Sequence, residues 1–374
     1  MKRILITGGA GFIGLNLAIK LQEKGHQVRI FDNLSPQIHG NQADVKNNIP
    51  KGVEFLLGDV RNKEELRKAM LGQNIIVHLA AETGTGQSMY EVQKYTDTNI
   101  CGTANVLDII ANEENEVEKF VIASSRAVYG EGTYECAVHG TVFPENRNES
   151  NMLNGMFEPT CPICDCHVTG VPTAETSKLH PSSVYGITKQ VQEDLVRVCC
   201  EAIGIPYVVF RYQNVYGPGQ SLKNPYTGIL SIFSSRIVNN EKINIFEDGK
   251  ESRDFVYIDD IVNATILGIE NVAANNQIYN VGSGTQTSVA EVIQQLEKLF
   301  EKSADAEITG QFRLGDIRHN RADISKIQTE LGYNPSVDFE HGIECFIEWV
   351  KTQEMGSNQY EKSLLEMKEK GLLK

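Results

Sequence analysis

No apolar run in these 374 residues approaches the ~18 that a membrane-spanning helix needs. Excess basic charge is missing as well. The formal net charge of −14 sets up a field that opposes nucleic acid and anionic membranes, although a local basic pocket for a phosphate stays open. Nor is there a basic stripe of the kind that tracks a nucleic-acid backbone. Internal repeats and low-complexity tracts are absent. The first residues, Met1–Gly9, enter a strand-and-turn pattern directly, so no signal peptide is expected. Eight cysteines spread over so long a chain do not make a secreted disulfide scaffold, which is small and cysteine-dense. The expectation is a cytoplasmic protein with reduced thiols. Its hydrophobic share of 41% is ordinary for a globular chain, and its length allows two lobes around one large core.

The first half alternates short apolar runs with helix-length segments: Lys2–Thr7, Gln27–Asp32, Val53–Leu57, Ile75–Ala80, Phe120–Ser125 and Tyr207–Arg211. Such Val- and Ile-rich runs predict a parallel sheet covered on both faces. Residues 130–179 break the rhythm. They are rich in Cys, Pro, Asn and Gly and show neither helical nor strand period, which is uncommon inside a compact domain. After Tyr212 the alternation fades into Pro- and Gly-containing loops and short helices, read as a second lobe. The charged tail from Lys351 is expected to be helical with a frayed end.

The strand Lys2–Thr7 leads into Gly8-Gly9-Ala10-Gly11-Phe12-Ile13-Gly14 and a helix-forming stretch to Lys24. Glycines there permit a tight turn and close approach of backbone N–H groups to a pyrophosphate. A glycine turn alone proves little, but the next strand ends in Asp32, 18 residues after Gly14, where an acid can hold adenosine ribose hydroxyls. That carboxylate repels a 2′-phosphate and so favours NAD over NADP. Asp59, after the third strand, suits an adenine contact.

Further on, Ser183-Val184-Tyr185-Gly186-Ile187-Thr188-Lys189 opens a helix with Ser182 or Ser183 as N-cap. Val184, Ile187, Val191, Leu195 and Val198 recur at the helical period and are expected to form its buried face. Tyr185 and Lys189, one turn apart, bring their Cβ atoms to about 5–6 Å. The lysine is expected to lower the phenol pKa towards that of a general base. Ser124-Ser125 follows the strand Phe120–Ala123, at the strand end where open α/β sheets bind ligands. A serine hydroxyl there could hold a substrate oxygen.

These motifs resemble the extended short-chain dehydrogenase/reductases, specifically the NAD-dependent epimerase/dehydratase group. The matching segments are Thr7–Gly14, His78-Leu79-Ala80-Ala81, the Ser125/Tyr185/Lys189 set, Arg211–Pro218, Arg253-Asp254-Phe255-Val256-Tyr257 and Gly315-Asp316-Ile317-Arg318-His319. The resemblance implies an α/β fold: a Rossmann-type doubly wound parallel sheet with a smaller C-terminal substrate-binding lobe. Residues 1–211 would form the NAD-binding domain, with a cysteine-rich insertion at about 131–178. Residues 212–374 would be mainly the substrate lobe, with about 250–275 returning to the first domain. Implied cofactor contacts are Gly8, Gly11, Phe12, Ile13, Gly14, Asp32, Asn33, Asp59, Val60, Leu79, Ala80, Ala81, Asn99, Tyr185 and Lys189. Implied substrate contacts are Gln87, Ser125, Arg126 and Asn214, with Arg253 and Arg318 clamping a diphosphate. A homodimer through the Tyr185 helix and the helix near Asn99–Ala111 is also implied.

All members of this group can begin by oxidising C4 of a nucleotide sugar. Where the dehydratases that the pattern resembles carry Asp and Glu, and the decarboxylases a Glu, this chain has Arg126 and Ala127. Without a carboxylate for those steps, the expected reaction is 4-epimerisation. The 4-keto sugar turns over and hydride returns to its opposite face, with NAD regenerated. Ser125–Gly132, Asn224-Pro225-Tyr226-Thr227-Gly228 and Phe246-Glu247-Asp248-Gly249 resemble more narrowly the dTDP-L-rhamnose 4-epimerase type, so dTDP-L-rhamnose or a related dTDP- or UDP-hexose is the expected substrate. A 4-keto-sugar reductase using NAD(P)H and a non-catalytic NAD-binding protein stay open as alternatives.

Within the insertion, Cys136-x-x-His139 and Cys161-x-x-Cys164 have the spacing of a tetrahedral structural zinc site. Cys166 and His167 are alternative ligands, and plain reduced cysteines in a loop are the simpler reading. The epimerase type resembled here carries a similar insertion, which implies structural zinc.

Overall fold

Residues 1–40, 45, 48–222, 224–226, 228–353 and 360–374 are described by the structure, a computed structural model. Seven parallel strands make the central sheet: β1 (Arg3–Thr7), β2 (Gln27–Asp32), β3 (Glu54–Leu57), β4 (Ile75–His78), β5 (Lys119–Ser125), β6 (Tyr207–Tyr212) and β7 (Gln277–Val281). Their order is β7-β6-β5-β4-β1-β2-β3. The chain reverses direction across the sheet between β1 and β4, the switch point at which open α/β sheets bind ligands. Six of these strands coincide with the runs expected from sequence. The seventh, β7, comes from the second half of the chain.

Strand pleating explains the two cores. Along β1, Ile4 and Ile6 face one side and Leu5 the other, and all three are fully buried. Ile4 and Ile6 pack with Leu17, Ala18 and Leu21 of helix α1 (Phe12–Glu23). Leu5 packs with Val106, Leu107 and Ile110 of helix α2 (Gly102–Asn112) and Val196 of helix α3 (Val184–Ile203). Helix α4 (Ile258–Glu270) lies beside α1 and shares its core through Ile261 and Ala264. Truncating a residue such as Leu17 to Ala would cost about 2–5 kcal/mol.

Helix α3 departs from expectation. Its N-cap is Ser183, whose hydroxyl accepts from the Gly186 amide at 3.1 Å. Its buried face, however, carries Thr188, Lys189, Gln192, Glu193, Val196 and Cys200. The stripe expected to be buried points outward: Ile187 is 49% and Val198 54% exposed, with Val184, Val191 and Leu195 partly covered. Periodicity reports an apolar face but not which body covers it.

The irregular stretch also proves ordered. Tyr134–Cys136 is the middle strand of a three-stranded antiparallel sheet with Gly140–Val142 and Val168–Gly170. Tyr134, Cys136, Val142, Cys161 and Val168 form its small core. The second lobe packs helices Ile229–Asn239, Val289–Phe300 and Phe339–Lys351 beside a parallel pair, Ile243–Ile245 and Ala306–Ile308. In the tail, helix Tyr360–Glu369 buries Tyr360, Leu364 and Met367. Contrary to the frayed end expected, Lys374 and Phe312 exchange backbone hydrogen bonds of 3.0 and 3.1 Å. Among the described residues, no helix is long and apolar enough to cross a membrane.

Candidate active site

Above the switch point lies a cleft of about 540 Å³, within the usual range for ligand sites. The turn after β1 forms its floor. Gly8 has φ +67° there, and a Cβ on it would come within 2.7 Å of the Ala80 backbone. A Cβ on Gly14 would meet the Gly9 Cα at 2.5 Å, so glycine at both positions brings the start of α1 down onto the turn. No side chain caps α1 and its first turn carries no acid. Its open N–H groups and positive dipole end face the cleft, which suits a pyrophosphate. Asp32, at the end of β2, is buried and accepts from Ala10 N at 3.0 Å and Leu34 N at 2.8 Å. This donor set fits NAD: amides for the phosphates and a carboxylate for ribose hydroxyls.

Gly8, Gly11, Phe12, Ile13, Gly14, Asp32, Asn33, Val60, Leu79, Ala80, Ala81, Tyr185 and Lys189 all line the cleft. Two expected cofactor contacts stand behind this lining. Asp59 receives Asn33 Nδ2 at 2.9 Å and Arg61 Nη2 at 2.7 Å. Burial pushes its carboxyl up, but these bonds prevail and hold it at about 2. Asn99, fully buried, joins Glu82 after β4 to Thr188 of α3, with Nδ2 donating to Thr188 Oγ1 at 2.9 Å.

Ser125 ends β5 and lines the cleft together with Tyr185, its hydroxyl accepting from the Ala127 amide at 3.2 Å. Lys189 Nζ sits 6.0 Å from the Tyr185 ring centre and donates to the Ala123 carbonyl at 2.9 Å. The three side chains share one cleft, but the electrostatics differ from expectation. Burial raises the Tyr185 phenol above its ordinary value, opposed by Ser125 and Arg126 rather than by Lys189. The same burial, opposed by Glu193, lowers Lys189 to about 7, which weakens the charge it can offer.

Beyond the triad the cleft carries charge of both signs, with Glu247, Glu251 and Asp316 also in its lining. Arg126, Arg253 and Arg313 all line it, as does Asn214 with a buried Oδ1 that has no hydrogen-bond partner among the described residues. Burial, then the neighbouring charge of Arg253, lowers Arg126 to about 10. Arg253 donates to the Ser252, Ile317 and Arg318 carbonyls. Arg313 is held by Asp316 Oδ2 at 2.8 Å and stacks over Phe246 at 5.0 Å.

The structure does not bring Arg318 to the cleft. Its guanidinium is engaged by Glu158, Glu247 and Asp248, and its side chain is 1% exposed. Gln87 likewise is withdrawn into pairing with Gln37 at 2.9 Å. The cleft arginine that sequence reasoning missed is Arg313, in the turn that carries Asp316. Its signal was the Arg-x-Gly-Asp run at 313–316, five residues before the arginine chosen instead. Thr227 lies outside the described residues, whereas Asn224 and Tyr226 line the cleft.

In the insertion, Cys136, His139, Cys161 and Cys164 converge, their ligand atoms all within 4.8 Å of one another. Cys136 Sγ lies 3.8 Å from Cys164 Sγ and 3.7 Å from His139 Nδ1, and Cys161 Sγ lies 3.6 Å from His139 Nδ1. Cys166 and His167 are exposed and stand outside this group.

The site, then, is that of a dinucleotide-dependent enzyme built on a doubly wound sheet. The sequence matches the NAD-dependent epimerase/dehydratase family over residues 4–149 and 161–282. The unmatched residues 150–160 fall in the insertion. A dTDP-L-rhamnose 4-epimerase of Burkholderia thailandensis is 36% identical over 353 residues, covering 93% of this chain and 95% of that protein. Among solved structures, the UDP-glucose 4-epimerase of Thermotoga maritima with UDP-glucose superposes with a TM-score of 0.76 at 29% identity, covering 93% of this chain and 98% of that one. The UDP-glucuronic acid 4-epimerase of Bacillus cereus, in complex with UDP-glucuronic acid and NAD, gives 0.76 at 27%, covering 93% and 99%. The chain belongs to the NAD-dependent epimerase/dehydratase family and is an NAD-dependent enzyme of the epimerase kind.

Proposed function

We propose that this enzyme is a nucleotide-sugar 4-epimerase acting on dTDP-L-rhamnose or a related dTDP- or UDP-hexose. The observation that carries the reading is the gathering of Ser125, Tyr185 and Lys189 between the glycine turn and three cleft arginines, with no carboxylate at positions 126 and 127. NAD bound against Gly8–Gly14 and Asp32 supplies a hydride acceptor and donor. Tyr185 takes the C4 hydroxyl proton and later returns it, while Ser125 holds the same oxygen. Lys189 lies one helical turn from the base, its Nζ tied to the Ala123 carbonyl. Arg253 and Arg313 grip the diphosphate and leave the sugar free to turn. Similarity to the Burkholderia thailandensis enzyme supports the rhamnose reading.

The same reading gives the insertion a structural zinc. For ligand bonds of about 2.3 Å to sulfur and 2.0–2.1 Å to nitrogen, a tetrahedron has edges of about 3.8 Å between sulfurs and 3.6 Å from sulfur to nitrogen. Three of the six distances among Cys136, His139, Cys161 and Cys164 agree, and all lie within 4.8 Å. Thiolate ligands need a reducing setting, in keeping with a cytoplasmic enzyme. The outward apolar stripe of α3 supports a homodimer through that helix.

Proton NMR of dTDP-L-rhamnose incubated with purified enzyme and no added cofactor tests the reading, alongside UDP- and GDP-hexoses. A new 4-epimer signal is expected. Silence across the panel, with NAD added as well, would overturn it in favour of a 4-keto-sugar reductase.

A further inference from the structure

We propose that Arg147, within the cysteine-bearing insertion, is a positioning residue for the two arginines that grip the substrate diphosphate; the inference rests on the function proposed above. Arg147 does not line the cleft, and its side chain is 4% exposed. Its guanidinium nevertheless reaches four separate parts of the chain. Nε donates to Glu131 Oε1 at 3.0 Å, Nη1 to Glu247 Oε2 at 2.9 Å and to the Phe157 carbonyl at 3.1 Å, and Nη2 to the Asp316 carbonyl at 3.0 Å.

The last of these bonds matters for the site. The stretch Asp316-Ile317-Arg318 holds both diphosphate arginines. The Asp316 carboxylate accepts from Arg313 Nε at 2.8 Å. The Ile317 and Arg318 carbonyls accept from Arg253 Nη2 at 2.9 Å and Nη1 at 3.0 Å. From the insertion side, Glu131 Oε2 receives the Arg318 amide at 2.9 Å and Glu158 Oε1 receives Arg318 Nε at 2.8 Å. Phe157 meets Phe312 edge-on, 6.5 Å between ring centres. One wall of the cleft is therefore pinned from behind by a module that never touches the cavity.

Glu247 shows the same coupling from the cleft side. It lines the cavity and has φ +51°, a left-handed conformation that strains a non-glycine residue. Guanidinium groups from Arg147 and Arg318 both hold its carboxylate. A fork with several fixed donors can lock such a junction, whereas a point charge cannot. Loosening it lets Arg253 and Arg313 drift, and small misplacements of binding groups carry large penalties.

Calorimetric titration of the NAD-loaded enzyme with dTDP and with UDP, together with steady-state kinetics, tests this. In Arg147→Lys, the dissociation constant of the nucleoside diphosphate that binds wild type, and the substrate KM, should each rise about tenfold, with kcat changed less than about threefold. Retained NAD, read by absorbance, should match wild type. Removing a buried partner risks misfolding, so Glu158→Gln, at a side chain 42% exposed, is the second variant. It should raise the dissociation constant about threefold. Affinities within about twofold of wild type in both folded variants, or a fall in kcat at constant KM, would overturn the positioning role alone. A wild-type enzyme that binds neither dTDP nor UDP would overturn the function on which the role rests.

Discussion

Two clusters of buried charge in this molecule follow opposite plans. Around Arg147 and Arg318 the guanidinium groups meet Glu131, Glu158, Glu247 and Asp248 directly. In the cleft, Lys189 donates to a backbone carbonyl and is pulled down to about 7 by burial. Arg126 is pulled down to about 10 by burial and by the like charge of Arg253. The first cluster is compensated within the fold, as a buried structural network must be. The second holds charge that folding alone leaves under-compensated, and such groups mark functional sites. Among the described residues Lys189 and Arg126 have no ion pair, unlike Arg147 and Arg318, while Arg313 stands between the two plans, paired with Asp316.

The sharpest break between the clusters should come from Tyr185→Phe. It removes one oxygen from the cleft, and turnover should fall about 10³-fold or more while NAD stays bound. Near-normal turnover in that variant would remove Tyr185 as the base. Next is a matched pair. Arg318→Ala removes a buried guanidinium from among Glu158, Glu247 and Asp248 and should cost about 3–5 kcal/mol in urea unfolding. Arg313→Ala, at a side chain 33% exposed, should cost less stability than Arg318→Ala and raise KM about 10- to 100-fold. Were the two phenotypes exchanged, the division into scaffold and site would be lost.

Metal removal probes the insertion itself. Elemental analysis should find one zinc per chain, and chelation should lower the melting temperature by roughly 5 °C or more, since metal binding is folding energy for a small module. A protein without zinc, or one indifferent to chelation, contradicts the assignment. The smallest effect is a pH slope. Lys189 titrates near 7 when folded against an ordinary 10.5, so between these values the unfolded chain holds the extra proton. The stability of NAD-free enzyme should therefore rise with pH across that window. Lys189→Met should flatten this rise and add ~1–2 kcal/mol near pH 7 while abolishing turnover. An unchanged slope would mean that Lys189 keeps its proton in the fold.

What could be read from sequence follows from how local each cause is. Five of the strands are largely buried and appear as continuous apolar runs, while β3, at the sheet edge, is only partly covered. The strand β7, QIYNV, is broken by Gln277 and Asn280. Asn280 is tolerated because Tyr129, Thr173 and Asp323, all distant in sequence, satisfy it. The glycine turn, the Tyr185/Lys189 spacing and the two Cys/His pairs are legible because their geometry is set over a few residues. Arg313 and Arg318 share one loop, and only their partners separate them. In the insertion the hairpin strands are only three residues each, too short to show a period, and the third strand depends on pairing across more than thirty residues, Cys136 with Val168 for instance.

The position of β7 has a consequence for how the chain is made. A ribosome releases β6 long before Gln277 emerges, so the strand destined to be the sheet's penultimate member waits with one edge unpaired. That strand is Tyr-Val-Val-Phe-Arg-Tyr, buried at every residue when complete. An apolar strand with an open edge is a template for pairing with other chains. Nascent or truncated forms ending before residue 277 should therefore aggregate or depend on a holdase.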